Sequence, residues 1–158
     1  TNVTTTSSVS FGDQVLAATP ATVTITSTAL NSKFIISGQI TGESSATDHS
    51  IGFVLRRVIG GSGSSLNIGT GAGSKSAISF THATGYFNSD QLSTPSTSIL
   101  SPYLDSPSQA SGTAITYKID IMGTGDSGTY YFGRTVQDQD NSAYERLPNY
   151  ITVQEVAA

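Results

Sequence analysis

The chain has 158 residues, of which only 11% are charged, and its formal net charge at pH 7 is -4. This length suits one domain with a sizeable core, and the seven Lys and Arg residues are spread too thinly to form a basic patch against phosphates. We therefore expect no nucleic-acid partner. No apolar run approaches the roughly 20 residues that a membrane-spanning helix needs, so we also expect no membrane insertion.

The sequence contains no cysteine, which excludes disulfides and thiolate metal ligands as sources of stability. Packing within the chain, or against partner chains, must therefore stabilise the fold. Because the sequence begins at Thr1 and not at a methionine, we expect either a part of a longer protein or a processed chain. Residues 1–20 are predicted to form an N-terminal arm or linker, and residues 21–158 a β-sandwich domain.

Short strands are predicted along the folded part, because β-branched and polar residues alternate there between Gly, Ser, Asn, Asp and Pro. No window has helical periodicity with a cap. About nine short strands with polar turns predict an all-β fold, an antiparallel β-sandwich with jelly-roll topology. The segments that carry the clearest alternation are 21–29, 33–40, 51–58, 65–68, 77–82, 114–122, 129–136 and 150–156.

Two features of the predicted strands call for partners. Of the adjacent Arg56 and Arg57, one should face inward. If Arg57 shares the face of Phe53 and Leu55, its charge needs a carboxylate from a neighbouring strand or subunit, unless the strand ends there. The aromatic run at 130–132 places bulk on both faces of one strand, which favours cover of the outer face by another copy of the chain.

Residues 135–153 concentrate charge in a chain otherwise poor in it, which leaves a metal loop, a catalytic carboxylate pair or a surface turn as alternatives. The stretch "DQDN" resembles the start of an EF-hand loop, but counting from Asp138 gives Ala143 and Asn149 where that loop needs Gly and Glu. A looser Ca²⁺ site formed by Asp138, Asp140 and Glu145 stays open. An Asx-rich turn between two strands is favoured.

Two further stretches resemble functional motifs only in part. "GTGAGSKS" (69–76) nearly matches a phosphate-binding loop, but Ser74 replaces a required Gly and the following residues predict a strand instead of a helix. His49 and His82 are natural general bases, yet no acid is suitably placed beside either, and we expect both to be exposed loop histidines. We expect no cofactor.

A polysaccharide-degrading enzyme would need a pair of carboxylates, for which Asp120, Glu145 and Glu155 are the candidates. Asp120 and Glu155 occupy alternating polar positions of predicted strands, where solvent exposure is expected. Trp, a frequent platform for sugar rings, is absent. We therefore expect that the protein is not an enzyme and that it has no catalytic, cofactor-binding or metal-binding residues.

The C-terminal half carries several phrases in a specific order. In that order they resemble the C-terminal domains of tail- or capsid-fibre-type proteins of marine and cyanobacterial bacteriophages, and "VLRRVIGGSG" and "GTGAGSKS" fit the same pattern upstream. The sequence departs from it at Gly133, where the family has Asn, and at Gln154, where Met is frequent. The phrases are "YLDSPS" (103–108), "GTAITYKIDI" (112–121), "GTYYFGRT" (128–135), "QDNSAY" (139–144) and "ITVQEVAA" (151–158).

The resemblance implies a β-jelly-roll module of the virion, homotrimeric, with other virion proteins and a host-surface glycan as candidate partners. We expect a noncatalytic virion structural protein, a trimeric fibre or capsid-surface module in host attachment or virion decoration. A carbohydrate-binding lectin-like module is the alternative, and a polysaccharide-degrading enzyme is the third. The residues expected at receptor or subunit contacts are Tyr86, Phe87, Asn88, Tyr131, Tyr144 and Arg146.

Overall fold

The computed structural model describes residues 2–3, 7–45, 50–82, 94–142 and 144–156. This part of the chain forms eleven strands and no helix, which confirms the predicted all-β class. Within it, no helix is present that could cross a membrane. The strands are β1 (Asn2–Val3), β2 (Ser7–Phe11), β3 (Ala17–Thr26), β4 (Lys33–Ser44), β5 (Ile51–Ile59), β6 (Ser62–Leu66), β7 (Phe80–Thr81), β8 (Ser96–Asp105), β9 (Ala114–Gly123), β10 (Gly128–Phe132) and β11 (Asn149–Val156).

The strands form two antiparallel sheets that pack as a sandwich. In the first sheet β4 is central, with β8 on one side and both β11 and β10 along the other. β1 lies beyond β11, and β2 beyond β10. In the second sheet β9 and β5 are adjacent, with β3 beyond β9 and with β6 and β7 beyond β5.

The core lies between the two sheets and follows the period of two along each strand. On β9 the predicted alternation is confirmed, since every second side chain from Ile115 to Ile121 is fully buried. From the other sheet, β4 contributes Phe34, Ile36 and Ile40 to the same cluster. The remaining fully buried large side chains include Phe53, Leu55, Leu100, Tyr130 and Phe132.

Prolines lie in both irregular strand pairings, Pro20 in the pairing of β3 with β9 and Pro102 in the pairing of β8 with β4. Along β8, Leu100 pairs with Gly38 and Tyr103 with Ile36, so β8 carries one residue more than β4 in this interval. This bulge includes Pro102, and proline is tolerated in sheets at edges and bulges because it cannot donate to the ladder. β8 was not predicted from the sequence, because a proline within a run argues against a strand.

The described part of residues 1–20, expected to be an arm or linker, includes β2 and the first residues of β3. β2 pairs with β10 along its whole length. Its Phe11 is buried, and Val9 packs against the core cluster. These residues are therefore part of the sandwich.

Candidate functional site

Arg57 finds its carboxylate partner in the opposite sheet. Its Nη1 atom donates to both oxygens of Asp105, at 2.7 and 2.9 Å. The hydroxyl of Tyr117 donates to Asp105 Oδ2 at 2.8 Å. Arg57 and Tyr117 are cross-strand neighbours on β5 and β9, whereas Asp105 is the last residue of β8. The predicted need for a carboxylate from another strand is confirmed, and the resulting Arg57–Asp105–Tyr117 cluster joins the two sheets.

The chemistry of this cluster is that of a structural tie. Burial, followed by the hydrogen bond to Asp105, raises the pKa of Tyr117 far above its usual range, so the hydroxyl stays protonated and continues to donate. Hydrogen bonds to an ionised carboxylate are shorter and stronger than neutral ones. With Asp105 only 4% exposed, these donors replace the water that the carboxylate would otherwise bind.

A second buried carboxylate, Asp120, lies on the outer face of the second sheet. Its Oδ2 atom is 3.1 Å from Lys118 Nζ and 3.3 Å from Arg56 Nη1. Asp120 is only 1% exposed, so the expectation of solvent exposure was wrong. Arg56 and Lys118 are directly opposite each other on adjacent strands, and both side chains lie over the carboxylate.

The other two candidate carboxylates lie elsewhere in the fold. Glu145 is exposed in the connection between β10 and β11. Glu155 is on β11 of the first sheet, and one of its oxygens accepts a hydrogen bond from the backbone N–H of Thr28 at 2.8 Å. Asp120 and Glu155 thus belong to different sheets, and the fold does not bring the three acids together.

The side chain of Glu155 gives a pH-dependent contribution to stability. A hydrogen bond from Ser32, followed by that from the Thr28 backbone, lowers the pKa of Glu155 below its usual 4.5. Because the folded-state pKa is the lower one, this stabilisation is complete above the unfolded-state pKa and is lost as the pH falls through the folded-state pKa.

We therefore expect Glu155→Gln to lose less stability on acidification than the wild type below about pH 4.5, since its amide does not titrate. Urea unfolding followed by circular dichroism at a series of acidic pH values measures this difference. Parallel loss of stability in both proteins across that range would contradict the assignment.

The connection between β10 and β11, residues 133–148, is attached to the edge of β4. The ladders of β4 with β11 and with β10 leave a gap at Thr41. Gly133 N donates to Thr41 O at 2.8 Å, and Thr41 N donates to Asn149 Oδ1 at 2.6 Å. Gly133, the first residue of the connection, and the side chain of Asn149, the first residue of β11, thus complete the backbone hydrogen bonding of Thr41 between the two ladders.

Within this connection, Asp138 is held by two arginines. Its carboxylate lies 2.7 Å from Arg146 Nη2 and 3.6 Å from Arg134 Nη1. Among the residues that the structure describes, no group of three or more His, Cys, Asp or Glu side chains could hold a metal ion. Of the three alternatives that the sequence left for this stretch, the geometry is that of a surface connection closed by ion pairs.

The aromatic run of β10 is sheltered by the chain itself. Tyr130 and Phe132 are fully buried, with ring centroids 4.8 Å apart. Tyr131 faces outward and is half-buried, and the guanidinium of Arg134 lies 4.5 Å from its ring centroid. Two of the three rings of this run are thus buried within the chain, and cover of the outward Tyr131 by another copy stays a prediction.

His82 is buried, contrary to the expectation of an exposed loop histidine. Its ring lies edge-on to that of Tyr130 at 5.3 Å, and its Nδ1 atom is 3.4 Å from the Tyr130 hydroxyl. The backbone N–H of His82 donates to Ile51 O, which extends the pairing of β7 with β5 and carries the ring into the sandwich. His49 lies outside the described residues.

The residues predicted to make receptor or subunit contacts divide into two groups. Tyr86, Phe87 and Asn88 lie outside the described residues. Tyr144 and Arg146 are in the β10–β11 connection, where the Tyr144 hydroxyl donates to Gln137 at 2.9 Å and the side chain of Arg146 is 56% exposed. Arg146 is linked to Tyr131 through Asp138 and Arg134.

A surface on the first sheet, where β8, β4 and β11 lie side by side, was not predicted from the sequence. Ile99 and Leu104 of β8 are 65% and 52% exposed there. The signal was present as alternation around a proline, "STSILSPYLD", but it became interpretable only once the bulge at Pro102 was known.

Neither a protein-family model nor a curated protein matches this chain. The resemblance to bacteriophage fibre domains therefore stays a prediction.

Proposed function

We propose that this chain is a noncatalytic structural protein of a bacteriophage virion, a jelly-roll module that assembles as a homotrimeric fibre or capsid-surface element for host attachment or decoration. The observation that carries the proposal is the origin of the Arg57–Asp105–Tyr117 cluster. Its three residues come from three of the stretches that resemble fibre domains, "VLRRVIGGSG", "YLDSPS" and "GTAITYKIDI". Three polar residues of the matching stretches thus meet in one contact between the sheets. This is how a sequence pattern can specify a fold.

The departure at Gly133 is also consistent with that fold. Gly133 has a φ of +69°, in the left-handed region. Asn is, after Gly, among the residues that tolerate this region best, so the family's Asn and this chain's Gly suit the same backbone turn. Arg134, the next residue of the phrase, stacks on Tyr131 and pairs with Asp138.

A structural role is further supported by how the described carboxylates are used. Asp105 binds a cation of the opposite sheet, and Asp120 binds two cations of its own sheet. Glu43 accepts the backbone N–H of Val136, and Glu155 accepts that of Thr28. Each of these groups holds one chain segment against another. Because these carboxylates hold the fold together, we expect the protein to act through its surface, which is rich in hydroxyl and amide groups.

The test is to look for the chain in virus particles. We expect mass spectrometry of density-purified particles from the source culture to detect its peptides, and immunogold labelling with antibodies against the module to mark fibres or the capsid surface. Peptides found only in the particle-free fraction would contradict the proposal.

A further inference from the structure

The outer side of the second sheet carries a small apolar cluster that is separate from the core between the sheets. Because Phe53 and Ile121 point into the core, their strand neighbours Gly52, Val54 and Met122 point outward. Gly52 lies directly opposite Met122 on the adjacent strand. Val54 and Met122 are nevertheless only 2% and 7% exposed, and neither belongs to the core cluster. We call Gly52, Val54 and Met122 the outer cluster.

The outer cluster is covered by the connection between β6 and β7, residues 67–79, which we call the strap. The side chain of Ile78 lies directly over Gly52, where an added Cβ would overlap Ile78 Cγ2 and would be 3.0 Å from Cδ1. The next residue, Ser79, is bound to the edge of β5, because its N–H donates to Phe53 O and its Oγ accepts from Leu55 N. The strap thus leaves the edge of β5 and turns onto the outer side of the sheet at Ile78.

The strap is attached a second time at the end of β9. There the side chain of Gln14 donates to Ser76 Oγ, and the backbone N–H of Gln14 donates to Gly123 O, at 2.9 Å. The two limbs of the strap are joined where Gly69 N donates to Ile78 O at 3.0 Å. The strap therefore crosses the outer side of the sheet from the edge of β5 to the end of β9, over the row of Gly52 and Met122.

The strap is held more weakly than the strands below it. Residues 67–75 are all exposed, and of its two isoleucines Ile78 covers the outer cluster whereas Ile68 is 46% exposed. Segments with few buried apolar contacts and an exposed backbone open at a lower free energy than core strands. β5 is paired with β9 from Ile51 to Ile59, so departure of the strap breaks none of these pairs.

We infer that the strap opens as a unit while the sandwich stays folded, and that it thereby controls access to the outer cluster. Opening exposes Val54 and Met122 as an apolar patch that the closed state hides. The inference is independent of the proposed virion role. It also accounts for the stretch "GTGAGSKS" (69–76), because glycines suit a segment whose backbone must change conformation.

A single cysteine under the strap reports its opening, because the chain has no cysteine of its own. We expect the thiol of Met122→Cys to react with a chromogenic disulfide reagent at a rate that is nearly independent of urea below the unfolding transition. Ile119→Cys, at a fully buried position between the sheets, should react only through global unfolding, so its rate should rise steeply with urea.

Circular dichroism must first show that each variant folds, and Val54→Cys is the second reporter should Met122→Cys not fold. A steep urea dependence shared by the outer and the inner thiol would overturn the inference, because the outer cluster would then become accessible only when the whole sandwich unfolds.

Variants of the strap, made in the Met122→Cys protein, test whether Ile78 holds it closed. Ile78→Ala removes apolar contact with the outer cluster and should raise the rate of thiol reaction about tenfold. Gly52→Ala should also raise it, because the added Cβ would displace the Ile78 side chain. Ile68→Ala makes the same change at the exposed isoleucine of the strap and should alter the rate by less than about twofold. Equal rates in the Ile78→Ala and Ile68→Ala proteins would overturn the inference.

Discussion

Replacing Asp105 with alanine should lower the free energy of unfolding by about 3 kcal/mol. The substitution leaves the guanidinium of Arg57 and the hydroxyl of Tyr117 without their shared acceptor between the sheets. Removal of one member of a buried ion pair costs about 3–5 kcal/mol, and we expect the lower end because the Arg57 side chain keeps 21% of its surface in water. Urea unfolding at one fixed protein concentration, followed by far-ultraviolet circular dichroism, measures the change.

Two further variants isolate the cause of this loss. Asp140→Ala removes an exposed carboxylate of the β10–β11 connection and should change the unfolding free energy by less than about 0.5 kcal/mol. Arg57→Met/Asp105→Leu removes both charges and should recover part of the loss, because no unpaired charge is then buried. If Asp105→Ala proved as stable as Asp140→Ala, the cluster would not be the tie between the sheets.

The second large effect is expected from Gly42→Ala, which should destabilise the protein by about 3 kcal/mol or more. Gly42 lies on β4 opposite Phe132 of β10. An added Cβ would overlap the backbone oxygen of Tyr131 and would lie 2.7 Å from Cε1 of the Tyr130 ring. Neither atom can move away readily, since one belongs to the strand ladder and the other to a fully buried side chain.

Gly71→Ala is the matched control. At Gly71 the nearest atom to an added Cβ is 3.6 Å away, which is ordinary van der Waals contact. We expect this variant to be as stable as the wild type within about 0.5 kcal/mol, because neither strain nor overlap follows from the change. Thermal unfolding of the two alanine variants side by side provides the measurement, and equal midpoints would contradict the close approach of β10 to β4.

The sequence predicted the fold class because alternation is a local signal. On β9, isoleucines and Tyr117 repeat every second residue, and the side chains of that set are buried as expected. The same local signal failed at β8, where the bulge at Pro102 shifts the alternation by one residue. β2 was missed as well, because it has only five residues and most of them are small and polar.

The environment of individual polar residues was harder to predict. The partner of Arg57 could be foreseen as a carboxylate but not as Asp105, because the pairing crosses between sheets. Burial of Asp120 depends on Arg56, which is 64 positions away in sequence and is brought close by the β5–β9 register. His82 was misjudged for the same reason, since its burial follows from the pairing of β7 with β5.

The surface where β8, β4 and β11 lie side by side could not be assembled from local sequence patterns alone. Its residues come from three strands that are distant in the chain, and only the registers of β4 with β8 and β11 place them in common rows. Local patterns report which residues alternate, whereas a surface is defined by neighbours across strands.

The molar mass of the purified wild-type protein in solution, measured by multi-angle light scattering at micromolar concentration, tests the central claim most directly. An assembly module that acts through its surface should elute as a species with three times the mass of the chain. A single well-folded species with the mass of one chain, unchanged as the concentration is raised, would contradict the account.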